Sequence, residues 1–255
     1  MQEGTNGMIE RVAHLLSLCQ GGASVMPPTQ LFNEGWLLRL ALHWYSEQPP
    51  SSSPLAFEDK ARWYSEGLLS SPFLARYRRD KLAEGYTHAD GVIGHFDVTP
   101  GERSEIRVRK DATQLVVVEA KIGSPLSDRT RNAPGYDQAA RNTACLVHLI
   151  AQAGHAPSTL SRAAFCVIGP KIQVEKGIFS PLVTKKSICE KVKIRVAAYE
   201  GSKDEWFENT FMPSLEYLSV DVVTWEDILE EIERTNVGPC FREFYDRCLE
   251  LVPRL

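Results

Sequence analysis

Apolar residues recur with a helical period over residues 8–20, and again along QLFNEGWLLRLALHWYSE, which ends near residue 47. Thr29 stands where the N-cap of that second helix is expected. GGASVMPP breaks the chain between the two, and QPPSSSP (48–54) reads as a linker or long loop. A third helix is expected from Phe57 to Leu69. The pattern then changes. HADGVIGHFDV (88–98), SEIRVR (104–109) and LVVVEAKI (115–122) read as three consecutive strands, with TPGER and KDATQ as turns. The loop GSPLSDRTRNAPG leads into a long helix from Tyr136 to about Ala153, and AAFCVIG (163–169) is a buried strand. Two or three helices are expected between 180 and 217, then a strand at SVDVVT (219–224). Thr224, with Asp227 three residues on, caps the next helix, and a last helix covers about 239–251.

Three strands, a helix, a strand, helices, a strand and a helix predict an α/β fold, a mixed sheet with helices on both faces. The expected organisation is N-terminal helices (1–54) packing on a core (55–235) followed by a C-terminal helix (236–255), all within one domain.

Composition narrows the function. With 29 basic against 33 acidic residues the net charge is −4, which argues against a protein that coats nucleic acid through a general basic surface and leaves room for a local basic groove. Six cysteines, Cys19, Cys145, Cys166, Cys189, Cys240 and Cys248, form no CxxC pair and read as free thiols of a reducing compartment. Glu10, Arg11 and His14 interrupt any signal-peptide core, and no apolar run approaches the ~20 residues that span a bilayer. A cytoplasmic protein without a membrane partner is expected.

One strand carries unexpected chemistry. After Val116, Val117 and Val118 come Glu119 and Lys121, two apart and therefore on one face of a strand. Upstream, Asp90 and Asp97 are seven apart, so an unbulged strand cannot aim both at one place. Asp90 sits beside Gly91 and Gly94, which allow close approach, whereas Asp97 precedes a turn, so Asp90 is the better candidate. Glu34 falls among Leu31, Leu37, Leu38 and Ala41 at helical spacing, and an acid in an apolar stripe needs a partner or a metal.

The residues of ADGVIG, LVVVEAKIGSPLS and GYDQAARN resemble the PD-(D/E)XK nuclease superfamily over about residues 30–170, with Ala89 where the superfamily often has proline. The resemblance implies a restriction endonuclease-like core and hydrolysis of nucleic acid, DNA before RNA, with Mg²⁺ as cofactor and Mn²⁺ as its substitute. It implies Asp90 and Glu119 as metal ligands, joined by the Ala120 carbonyl and Glu34, and Asp90, Glu119, Lys121 and Gln138 as the catalytic set. Asn142 lies one turn beyond Gln138 on the same side. Mg²⁺ suits such a set because it prefers hard oxygens and needs only one or two carboxylates. Arg76, Arg78, Arg79 and Lys81 before the Asp90 strand, and Arg129, Arg131 and Arg141 after Lys121, bracket the site as a phosphate-tracking groove. A homodimer through the C-terminal helices is compatible with the sequence. Two alternatives remain: a non-catalytic nucleic-acid-binding or assembly module of the same fold, and a His/Asp metal hydrolase of small phosphoesters using His88-Ala89-Asp90 or His95-Phe96-Asp97.

Overall fold

A computed structural model describes residues 2–20, 25–84, 87–99, 104–130 and 132–252. The expected break at residues 21–24, most of the TPGER turn (100–103) and Arg131 lie outside the described residues, as does the side chain of Arg129.

Five strands form the main sheet: β1 (Arg62–Leu69), β2 (Thr87–Gly94), β5 (Gln114–Ala120), β8 (Arg162–Gly169) and β9 (Ser219–Thr224), in that spatial order. β1, β2 and β5 run antiparallel, and β8 and β9 extend the sheet parallel to β5. Two small hairpins stand apart, β3 (Phe96–Val98) with β4 (Ile106–Val108), and β6 (Arg129–Thr130) with β7 (Ala133–Pro134).

Helices cover both faces. α1 (Gln2–Gln20) is followed by α2 (Glu34–Ser46), then α3 (Gln138–Gln152), the short α4 (Lys171–Glu175) and α5 (Lys185–Ala197). α6 (Asp204–Trp206) passes through a π turn, Phe207–Phe211, into α7 (Met212–Tyr217), and α8 (Trp225–Ile232) and α9 (Gly238–Leu251) complete the chain. One core lies between the sheet and α3, α5 and α7, where Leu115, Val117, Phe165 and Val167 meet Leu146, Ile150 and Val192. The other lies under α2, α8 and α9, where Val116, Val118 and Ile168 meet Leu38, Leu42, Trp225 and Tyr245. β5 is buried along its whole length, which is why it reads as a continuous apolar run and not as an alternation.

Three expectations need correction. Residues 62–69 are a strand, not the end of a helix. Phe57, Ala61, Tyr64 and Leu68 have helical spacing, but the first two belong to the loop before β1. Within β1, Trp63 packs on the α2 side and Tyr64 on the α3 side, as strand alternation requires. The run 88–98 is two strands. Gly94, at φ +143°, ends β2, and a Cβ there would sit 2.1 Å from the Gln114 carbonyl oxygen. The chain turns at His95, so 104–109 contributes β4 to a side hairpin and not to the main sheet. Finally, α2 is capped by Asn33, whose side chain accepts from Trp36 N–H at 3.0 Å, whereas Thr29 lies in a preceding 3₁₀ turn. The capping box of Thr224 and Asp227 at the start of α8 is as expected. Among the described residues no helix is long and apolar enough to cross a membrane, and Cys145, Cys166, Cys189, Cys240 and Cys248 are free thiols.

Candidate active site

The site forms at the end of β5. Gly91 pairs with Val118, so one step further Asp90 stands opposite Glu119. Asp90 reaches the strand end directly: its Oδ2 accepts from Ala120 N–H at 2.8 Å. A local fault in β1 and β2 aims it there. Thr87 and Ala89 lie on the α3 side, where the Cys145 thiol donates to Thr87 Oγ1 at 3.5 Å. Yet Gly91, of the same parity, lies under Leu38 and Leu42 of α2. β1 switches faces at the matching position, between Trp63 on the α2 side and Gly67, packed on Ile106 and Val92. Glu66 and Asp90 fall at the step the β1–β2 ladder skips, between Ser65–Gly91 and Gly67–Ala89, and Glu66 has φ +56°. A regular strand cannot change face without such a residue. Asp90 sits at the switch.

Glu119 is wholly buried, the one acid in β5, where Leu115 to Val118 before it are all apolar. Three donors hold it. Lys121 Nζ and Gln138 Nε2 donate to Oε1 at 2.6 and 2.5 Å, and Asn142 Nδ2 donates to Oε2 at 3.0 Å. Burial first, then the charge of Asp90, push the Glu119 carboxyl above the usual carboxylate range, against the pull of Lys121. Burial alone would depress Lys121, but Glu119, Asp90 and Glu34 outweigh it and the net shift is upward. Trp225 Nε1–H, at the start of α8, donates to the Lys121 carbonyl at 2.9 Å and fixes the strand end from the opposite face.

Gln138 also ties down the loop between β5 and α3. Its Oε1 accepts from Ser127 N–H at 3.1 Å, and its own N–H donates to the Ser127 carbonyl at 2.9 Å. Asp137 caps α3 through Ala140 N–H at 2.9 Å and also accepts from Lys191 Nζ. One amide side chain thus links the loop to the buried carboxylate.

Asp90, Glu119, Lys121 and Gln138 therefore lie together, with Asn142, which the sequence placed only on the right side of its helix. Glu34 is the first residue of α2 and half-buried. Its charge acts on Lys121, but no group of three His, Cys, Asp or Glu side chains able to hold a metal occurs among the described residues. Two neighbouring carboxylates, of which Glu119 has its proton affinity raised by burial, still match a cation such as Mg²⁺, which takes one or two carboxylates and draws its other ligands from water. The Ala120 N–H is engaged by Asp90, and the Ala120 methyl faces the α2 side.

The remaining candidates separate. Asp97 is exposed on the side hairpin, opposite Arg107. His95 is spent: Nδ1 accepts from Thr113 N–H at 3.2 Å and Gln114 N–H at 3.3 Å, so Nε2–H donates to the Asp59 carbonyl at 2.8 Å. His88 is exposed. Arg78, Arg79 and Lys81 are exposed, whereas Arg76 is bound to Asp80 at 2.9 Å. Arg141 is half-buried, its Nε without a partner, and its charge acts on Glu84. Sequence reasoning missed the buried pair of Glu84 and Arg195, 3.0 Å apart and joined by Ser71 and Tyr199. An arginine spaced three and seven residues from Val192 and Ile188 in a lysine-rich helix was its only trace.

No protein-family model, no curated protein and no solved structure matches this chain.

Proposed function

We propose that the protein is a divalent-cation-dependent nuclease of the PD-(D/E)XK kind, hydrolysing phosphodiesters in nucleic acid, with DNA the first substrate to test. The observation that carries the reading is the meeting of Asp90 from β2 with Glu119 and Lys121 from the end of a buried β5, under Gln138 from the next helix. The strand order, three antiparallel strands extended by a parallel one after a helix, agrees with the core that the sequence resemblance implies.

The chemistry fits the residue types. Phosphodiester hydrolysis delivers water to an anionic phosphorus and builds further negative charge in the transition state. A bound Mg²⁺ or Mn²⁺ supplies polarisation of the phosphoryl oxygen and a more acidic water. Asp90 and Glu119 are the carboxylates that hold it. Lys121 offsets charge on the non-bridging oxygens and orients water. Gln138 keeps Lys121 and Glu119 in register with the loop, and Asn142 fixes the second carboxylate oxygen.

A second reading, a non-catalytic nucleic-acid-binding module, is favoured by one fact: both oxygens of Glu119 are already satisfied by protein donors. One experiment separates the two. Asp90→Ala should weaken Mn²⁺ binding in calorimetric titration. Lys121→Ala should bind Mn²⁺ yet cleave DNA at least a hundredfold more slowly, about 3 kcal/mol in the barrier. Ca²⁺ should support binding without cleavage. Cleavage undiminished by excess chelator, or a Lys121→Ala variant as active as the parent, sinks the nuclease reading.

A further inference from the structure

Between β1 and β2 the chain makes a loop, Arg76–Lys81, whose construction is unusual for a surface turn. Its one acid, Asp80, is buried and faces inward. Asp80 Oδ2 accepts from Arg76 N–H at 3.2 Å and Arg76 Nε–H at 2.9 Å, while Oδ1 accepts from Arg76 Nη2–H at 3.2 Å and Leu82 N–H at 3.0 Å. The Arg76 guanidinium in turn lies 4.6 Å from the centroid of the Tyr199 ring. This strut makes Asp80 and Arg76 one internal unit and sets a backbone in which Arg79 takes φ +67°. What the strut displays is Tyr77, 62% exposed, with Arg78, Arg79 and Lys81, all exposed and without an ion pair among the described residues. Three exposed cations and an aromatic ring, its centroid 5.5 Å from the Arg76 guanidinium, are held out on this frame in a chain of net charge −4.

The loop also stands at the right end of the molecule. β2 enters the sheet at the end where β5 delivers Glu119, and Thr87, three residues before Asp90, leads back towards the loop. At the loop's root the Phe73 ring meets the Tyr136 ring at 5.8 Å, two residues from Gln138, and Asn132 Nδ2 donates to the Ala83 carbonyl at 2.9 Å.

We infer that the Arg76–Lys81 loop is a subsite for a single-stranded stretch of nucleic acid, with Tyr77 stacking on an unpaired base and Arg78, Arg79 and Lys81 following the phosphates. This rests on the nuclease reading and narrows its substrate to single strands, frayed ends or flaps. The chemistry distinguishes single strand from duplex because an aromatic ring needs an open base face, which a stacked duplex does not offer, whereas cations alone serve both. Pre-organisation by Asp80 spares the loop the ordering cost of binding. The groove expected from the sequence changes accordingly: Arg76 is a strut, and the ring beside it is the contact that discriminates.

The test is fluorescence anisotropy with a labelled 20-mer of thymidylate and with a blunt 20-base-pair duplex, in chelator so that nothing is cut. Tyr77→Ala should bind the single strand at least about fivefold more weakly and leave duplex binding unchanged, and Tyr77→Trp should restore it. Arg78→Ala with Arg79→Ala should flatten the dependence of log K on log salt for the single strand by about 1.4, two phosphates at about 0.7 each. Circular dichroism of each variant checks the fold. Unchanged single-strand binding by Tyr77→Ala, equal loss on duplex and single strand, or parent protein that binds neither, overturns the subsite. Binding with these signatures but no Mg²⁺-dependent cleavage leaves the subsite standing and removes the nuclease reading. Cleavage indifferent to Tyr77 does the reverse.

Discussion

Replacing Arg195 by Met should cost far more than a surface arginine, and the cost should depend on pH in a direction the structure fixes. Arg195 is 3% exposed. Its Nε–H donates to Glu84 Oε1 at 3.0 Å, its Nη2 donates to the Leu82 carbonyl and, at 3.2 Å, to Tyr199 Oη, and its guanidinium lies 5.2 Å from the Phe73 ring centroid. Methionine keeps the apolar stem and removes the charge. Among the described residues Glu84 would then keep the hydrogen bond from Ser71 Oγ–H, at 3.0 Å, and the influence of the Arg141 charge. Breaking one half of a buried pair costs about 3–5 kcal/mol, and at about 2–4 °C per kcal/mol for a chain of this size the melting temperature should fall by about 6–20 °C at pH 8. Burial already raises the Glu84 pKa, with Arg195 opposing, so removing Arg195 raises it further. A carboxyl whose folded pKa lies above its unfolded value favours the fold as pH falls. The gap between variant and parent should therefore shrink towards pH 5.5, where neutral Glu84 is cheaper to bury. The assay is thermal and urea unfolding of parent, Arg195→Met, Glu84→Gln and the double variant at both pH values. A penalty independent of pH, or a double variant as damaged as the two single losses added, refutes the reasoning.

Two further outcomes follow from single positions. Gly94→Ala should lose about 2–4 kcal/mol in urea unfolding, since φ +143° suits glycine alone and the added Cβ would meet the Gln114 carbonyl oxygen at 2.1 Å; a loss under about 1 kcal/mol would mean the β2–β3 turn is not as described. His148 has its pKa lowered from 6.5 to about 4 by burial first and by the charge of Lys203 second. Its unfolded form takes a proton before its folded form, so stability present above pH 6.5 is lost as pH falls towards 4, on the order of 1–2 kcal/mol after allowing for its partial exposure. His148→Gln should remove that part of the acid slope in pH-dependent unfolding, and an unchanged slope counts against it.

Much of the architecture was legible because its signals are local. β5 announces itself by four consecutive apolar residues, Leu115 to Val118, and α8 by Thr224 and Asp227, since burial on both faces and a capping box each leave a mark within a few residues. β1 was not legible. Its identity comes from pairing with β2, seven residue pairs that no single window contains, and Gly67 within it weakens any strand pattern. The strut beneath Arg76–Lys81 was hidden for a related reason. Asp80 and Arg76 sit in a run of charges that reads as a solvated surface, and only the three-dimensional turn shows that two of them are consumed internally.

The position of Asp90 shows where sequence reasoning stops in physical terms. Parity arguments assume that a strand keeps its faces, and by parity alone Thr87, Ala89, Gly91 and Ile93 share one side. They do not, because β1 and β2 switch faces together at Glu66 and Asp90. The switch requires a left-handed residue, and the chain uses a glutamate there although Gly67 is adjacent. A non-glycine residue in that conformation costs on the order of 1 kcal/mol and persists only where its surroundings over-determine it. On one side Arg39 of α2 lies 3.6 Å from the Glu66 carboxylate in a half-exposed ion pair, and on the other Ala120 N–H holds Asp90. The strain and the site coincide at one pair of positions. A straight β2 would send Asp90 along the regular alternation, and the shared change of face in β1 and β2 is what brings it to the end of β5.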